Sequence, residues 1–120
     1  MFSGGLDSTI IACLLARGSN NIKTVDLVNV SFQADSSADR ITSIFSFFEL
    51  IKMFGNRVRM ICADYSIAEV SKDDTVLKLL APSNSHMDYN IGTALHYASR
   101  GEGYLFDNNF FETEEFKKLL

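Results

Sequence analysis

The spacing of apolar and polar residues changes several times along the chain, and each change marks an element. Thr9 to Arg17 is apolar on nearly every side, the pattern of a helix packed between a sheet and neighbours, with Gly18 as its stop. Thr24 to Phe32 is rich in Val and Leu and predicts a central strand buried on both faces. The polar stretch Gln33 to Ala38 is then the loop at that strand's C-terminal end. Ile41, Ile44, Phe45, Phe48 and Ile51 recur at helical spacing, so this stripe predicts core packing, and Gly55-Asn56 closes the helix. Arg57 to Cys62 begins as an alternation and ends apolar, which predicts another strand, nearer a sheet edge.

Ser66-Ile67-Ala68-Glu69 fits a capping box, where serine and glutamate satisfy the free amides that open a helix, here running to Leu80 before Pro82. A further helix spans Asp88 to Ser99, with Ile91, Ala94, Leu95 and Ala98 on one apolar side and Gly101 after its end. Glu112 to Leu120 has the residues of a helix cut short, with Glu114 and Lys118 at a favourable spacing. Met1-Phe2 reads as the stump of a first strand, because a buried strand needs about five residues. This βα alternation predicts an α/β fold of three layers around a parallel sheet, in an incomplete form.

At 120 residues the chain has the size of one domain, and 47% hydrophobic against 22% charged residues argues for a folded core. A net charge of −4 has the wrong sign for a general binder of nucleic acid or anionic membrane. The longest apolar run, Ile10 to Ala16, is far too short to span a bilayer. Cys13 and Cys62 each sit in an apolar run, outside any CxxC or zinc pattern, and read as buried thiols of a reducing compartment. The expectation is a cytoplasmic chain without nucleic-acid or membrane partners, its oligomeric state open.

Chemistry concentrates in Ser3-Gly4-Gly5-Leu6-Asp7-Ser8-Thr9, between the strand stump and the first helix. Two adjacent glycines allow tight turns and close approach of a ligand. Backbone amides can then converge on one anion, and the helix adds its own free amides and the positive end of its dipole. Ser3, Ser8 and Thr9 supply hydroxyls. An aspartate inside a phosphate cradle calls for a cation between them, so Asp7 is a candidate Mg²⁺ ligand. The plainer alternative is that Asp7 or Ser8 caps the helix after a glycine turn. GxxxxGK[ST] and GxGxxG are both absent, which removes the kinase, GTPase and dehydrogenase readings.

The string Ser-Gly-Gly-x-Asp-Ser after a strand resembles the pyrophosphate loop of the N-type ATP pyrophosphatases, and Phe2 to Ser8 looks most like the synthetase domain of asparagine synthetase. Asp26 to Phe32, and Asn90-Ile91-Gly92 through Ala98-Ser99-Arg100-Gly101, are similar to the eukaryotic asparagine synthetase domain-containing proteins. The resemblance implies the adenine nucleotide alpha-hydrolase-like (PP-loop) fold, over residues 1–120 as a partial domain. It implies a ligase in which an aspartate carboxylate attacks the α-phosphorus of MgATP, giving β-aspartyl-AMP and pyrophosphate, and ammonia then yields asparagine. It assigns Ser3, Gly4, Gly5, Leu6, Asp7 and Ser8 to the phosphates and Mg²⁺, with Ser3 and Asp7 closest to the chemistry, and Met1 and Phe32 to the border of the adenine. ATP, aspartate and ammonia are the implied small-molecule partners, and ATP with Mg²⁺ the implied cofactors.

The departures open alternatives. No glutaminase domain is expected, since residue 2 is Phe2 where the glutamine-using enzymes have cysteine. The family's second loop, Ser-Gly-x-Gly-x-Asp-Glu, has no counterpart, for Gly101-Glu102-Gly103 fits a helix end. A catalytically incomplete nucleotide-binding or interaction module is therefore the second reading. A tRNA-thiolating enzyme is the third, with the missing CxxC and the acidic charge against it. Arg100 reads as complementing its helix dipole rather than reaching a phosphate. His86 and His96 stand apart from any metal or triad constellation, and Asp73-Asp74 and Glu112 to Glu115 read as solvated charge. Asp35 and Asp39 lie on the loop expected to overhang the nucleotide.

Overall fold

Helix α1 (Leu6–Gly18) runs directly out of the glycine loop in the computed structural model, which describes residues 1–18, 21–33 and 37–120. Strand β1 (Val25–Ser31), helix α2 (Ala38–Phe54), a single 3₁₀ turn (Gly55–Arg57) and strand β2 (Val58–Asp64) then make a βαβ unit. The two strands pair in parallel, Val25 opposite Val58 through Ser31 opposite Asp64. Helices α3 (Ile67–Ser71), α4 (Thr75–Leu80) and α5 (His86–Ser99) lead to a two-residue strand, β3 (Tyr104–Leu105), and a 3₁₀ turn (Asn108–Glu112) precedes helix α6 (Glu114–Leu119).

The sheet order is β1-β2-β3, and β3 runs antiparallel to β2, so the sheet is mixed where an all-parallel one was expected. Gly103 accounts for that return: a Cβ there would lie 2.3 Å from the Cys62 carbonyl oxygen, so only glycine lets the chain press against β2. β2 is consequently central, not near an edge. Met1-Phe2 forms no strand of its own, yet the Phe2 amide donates to the Val28 carbonyl at 2.7 Å and lays the chain start beside β1.

One face of the sheet, with Val25, Leu27, Val58, Met60 and Cys62, is buried against Phe2, Ala12 and Ala16 and against Phe47 and Leu50 of α2. The other face carries the exposed Asp26–Arg59 ion pair at 2.8 Å and half-buried Val28 and Ile61. Helix α2 presents two apolar faces. Phe47 and Leu50 meet the sheet, whereas Phe45 and Phe48 meet Phe111 and Phe116 of the C-terminal segment, which folds back over the helix. The expected stripe is therefore packed except at Ile41, which is exposed.

Four further expectations are corrected. Of α1 only Ala12 and Ala16 are buried, and its leucines and isoleucines face outward. Helix α5 is rotated from its expected face: Thr93, Tyr97 and Ala98 are buried while Ile91 and Leu95 are exposed, because the Tyr97 ring packs between Phe32 and Tyr65 at the strand ends. The helix expected to continue to Leu80 breaks after Ser71. The Ser66–Glu69 capping box is present, with the Ser66 amide 2.8 Å from Glu69, but Asp73 accepts from the Thr75 amide at 2.9 Å and starts a new helix. In α6, Lys117 and not Lys118 pairs with Glu114, at 2.7 Å. Cys62 is buried, with its thiol pKa pushed up by that burial, and Cys13 is half-buried. No helix of the described residues is long and apolar enough to cross a membrane.

A buried polar knot ties these layers together. Arg40, 4% exposed, donates through Nε to Asn29, through one terminal nitrogen to Tyr104 at 3.1 Å, and through the other to Asp64. Burial is the largest single influence and works against its charge, but the Asp64 hydrogen bond together with the charge interactions with Cys62, Asp64 and Tyr104 outweighs it, and the Arg40 pKa is raised. Asn29 in turn donates to the Phe2 carbonyl at 2.9 Å and to Ser43 at 2.7 Å. Ser43 is also the floor under the glycine loop. Gly4 has φ +78°, and a Cβ on it would lie 2.4 Å from the Ser43 Cα, so its glycine is required by packing on α2. Gly5 is different, with 3.6 Å to the nearest side-chain atom.

Arg40→Ala, which strands Asn29 and Asp64, is expected to cost about 3 kcal/mol in urea denaturation. Gly4→Ala combines a strained φ with a backbone collision and should lose about 3 kcal/mol or more, while Gly5→Ala stays within about 0.5 kcal/mol of the parent. The Asp73 carboxyl is held below its ordinary value of 3.8, first by its hydrogen bonds to Thr75. Its support of α4 is thus complete above that pH and lost below it, so the Thr75 amide resonance should be flat above pH 3.8 and titrate beneath it.

Candidate functional site

With Gly4 seated on α2, the rest of the loop is fixed by hydroxyls. Ser46 donates to the Gly4 carbonyl at 2.6 Å, and Ser8 and Thr9 donate to the Gly5 carbonyl at 3.1 and 2.9 Å. Ser3 and Ser8 share a hydrogen bond at 3.2 Å, and the Gly5 amide reaches Ser3 at 3.4 Å. The carbonyls that would repel an anion are therefore engaged. The amides of Leu6, Asp7 and Ser8, which open α1, have no backbone acceptor among the described residues. Asp7 is exposed, and its carboxylate has no hydrogen-bond or ion-pair partner among them. That disfavours the alternative in which Asp7 caps the helix, while Ser8 does bond back to the Gly5 carbonyl.

Beside the loop lies a cleft of about 590 Å³ at the C-terminal end of β1. Its wall is built from Met1, Phe2 and Ser3, from residues 29–33, from Ser37 and Asp39 at the start of α2, from Ile67, Val70 and Ser71 of α3, and from Tyr89, Asn90, Thr93 and Ala94 of α5. Met1 and Phe32 thus meet in one cavity with Ser3. Gly4, Gly5, Leu6, Asp7 and Ser8 continue from Ser3 outside the wall, and Leu6 is 75% exposed. Asp39 is the one charged side chain among the described lining residues, and Asp35 lies outside the described residues.

The remaining candidates take structural places. Arg100 lies over the Tyr97 ring at 4.6 Å and 3.7 Å from Asp73, so it has a specific partner beyond the helix dipole. Tyr97 donates to the same Asp73 at 3.2 Å, and burial followed by that carboxylate raises the phenol pKa. Asp73 is accordingly a junction between α4 and α5, not free surface charge. His96 packs edge-on against Tyr97 with a buried Nε2, and His86 is exposed at the start of α5. Among the described residues no group of three or more His, Cys, Asp or Glu side chains is placed to hold a metal.

Sequence reasoning missed Asn29, Ser31 and Arg40, and the α5 contribution of Tyr89, Asn90 and Thr93 to the wall. The signal was present for the first two: both are polar inside a run of valine and leucine, and a polar residue in a buried strand must have a partner. As a fit for the implied group, three open amides beside hydroxyl donors suit a phosphate chain. One unpartnered carboxylate suits Mg²⁺, which keeps several waters and shares phosphate oxygens.

No protein-family model matches the chain, and no solved structure matches it. Among curated proteins, an asparagine synthetase domain-containing protein of Saccharomyces cerevisiae is 31% identical over 120 residues, covering 88% of this chain and 23% of the relative. The chain spans about a quarter of that relative's length. The α/β unit with its glycine loop and this similarity point the same way: the chain is similar to an asparagine synthetase domain-containing protein.

Proposed function

We propose that the chain binds MgATP, with the phosphates on the glycine loop and the nucleoside in the adjacent cleft, as the nucleotide-holding part of an asparagine-forming ligase. The observation that carries this reading is the meeting of Met1, Ser3 and Phe32 at one cavity, beside a helix start whose first three amides are open. In this reading Leu6, Asp7 and Ser8 offer their amides to the charge that builds on a departing pyrophosphate. The Gly4 and Gly5 carbonyls are occupied by hydrogen bonds from Ser46, Ser8 and Thr9. Asp7 would hold Mg²⁺, which when bound neutralises phosphate oxygens. An aspartate carboxylate attacking the α-phosphorus would form β-aspartyl-AMP and release pyrophosphate.

A second reading, a nucleotide-binding module that does not turn over, is favoured by one specific observation. Gly101-Glu102-Gly103 is consumed by the fold, with Gly101 at φ +63° ending α5 and Gly103 pressed on Cys62, so it does not serve as a second acidic glycine loop. Aspartate-dependent exchange of labelled pyrophosphate into ATP separates the two. Exchange supports the ligase, and binding without exchange supports the module. Asp7→Asn should weaken Mg²⁺-dependent ATP binding about 10- to 100-fold by calorimetry while leaving the fold intact, and unchanged affinity would overturn the metal assignment.

A further inference from the structure

Helix α1 offers its outer face to solvent in a pattern that matches itself. At 3.6 residues per turn, Asp7, Ile10, Leu14 and Arg17 fall on one stripe within about 80° of arc, opposite the buried Ala12 and Ala16. Ile10 is 48% and Leu14 63% exposed, and Ile11 and Leu15, also exposed, widen the apolar strip on one side. An apolar patch of this kind, rimmed by charge, marks an interaction surface. Asp7 and Arg17 close the stripe at its two ends with opposite charge, and neither has a hydrogen-bond or ion-pair partner among the described residues.

We propose that this stripe is the contact between two copies of the chain, paired through antiparallel α1 helices about a two-fold axis. The order acid, apolar, apolar, base is its own complement when reversed. Setting Ile10 against Leu14 of the second copy brings Asp7 against Arg17 of that copy, and the symmetry repeats both contacts. A two-fold interface requires such a self-complementary patch, and the charges fix the antiparallel direction, because a parallel pairing would oppose like to like. Gly18 ends the helix just beyond Arg17, and its lack of a side chain leaves room there for the partner helix start. A contact resting on one helix of 13 residues is small, so association is weak and depends on concentration.

The test is sedimentation velocity of the full chain, without nucleotide or divalent cation, up to about 100 µM, where weak pairing of a small interface is readable. Because Asp7 is also the carboxylate offered to Mg²⁺ above, these conditions make the outcome independent of the nucleotide reading. A monomer–dimer equilibrium is expected, with Leu14→Glu monomeric and Asp7→Arg and Arg17→Asp each weakening association about tenfold or more. Combining the two charge reversals in one chain should restore the dimer, a rescue that general stickiness of an apolar face would not give. All the altered side chains are exposed, and circular dichroism checks that each variant is folded. A chain that stays monomeric throughout that range, or a dimer indifferent to the charge reversals, would overturn the proposal.

Discussion

The guanidinium of Arg40 sits where α2 meets all three strands, and its charge is shared among partners on each. Asn29 on β1, Asp64 on β2 and Tyr104 on β3 take hydrogen bonds from it. A buried cation is tolerated only when its donors are occupied, so the position of each strand relative to α2 is set by one residue's geometry. Asn29 passes that constraint on: its amide group holds the Phe2 carbonyl and Ser43, the two supports between which the glycine loop is suspended. The loop inherits its position from the core rather than from its own sequence.

This dependence explains why the two glycines have different meanings. Gly4 answers to the backbone of α2, and its substitution is a question of folding. Gly5 borders open space, and its lack of a side chain is explained by what approaches from outside. A motif that reads as two equivalent letters is in the folded chain one packing residue and one surface residue. The same division runs through the hydroxyls, since Ser46 of α2 holds the Gly4 carbonyl while Ser8 and Thr9 hold that of Gly5.

Much of the fold was legible from periodicity and caps. The β1–α2–β2 unit, the Ser66 capping box and the glycine ends of α2 and α5 follow from local chemistry that a short window contains. What escaped was set by partners distant in sequence. The direction of β3 rests on a backbone contact between Gly103 and Cys62, and the break between α3 and α4 on an aspartate with loyalties to Thr75, Tyr97 and Arg100. The exposed faces of α1 and α5 escaped because apolar spacing reports that a face exists, not what covers it. For the candidate site, the loop and its neighbours Met1 and Phe32 were readable. The α5 wall was not, since Tyr89, Asn90 and Thr93 became site residues through the rotation that Tyr97 imposes.

The described wall of the cleft holds a single charged side chain, Asp39, whereas the open amides and the unpaired carboxylate belong to the loop outside it. The site is thus divided into a nearly neutral chamber and a polar threshold. Ions in solution screen charges at an exposed threshold within about 10 Å but leave apolar burial almost untouched. Raising ionic strength should therefore loosen the hold on a ligand's charged end and spare the part enclosed in the chamber, so that the two contributions to affinity separate along a salt axis.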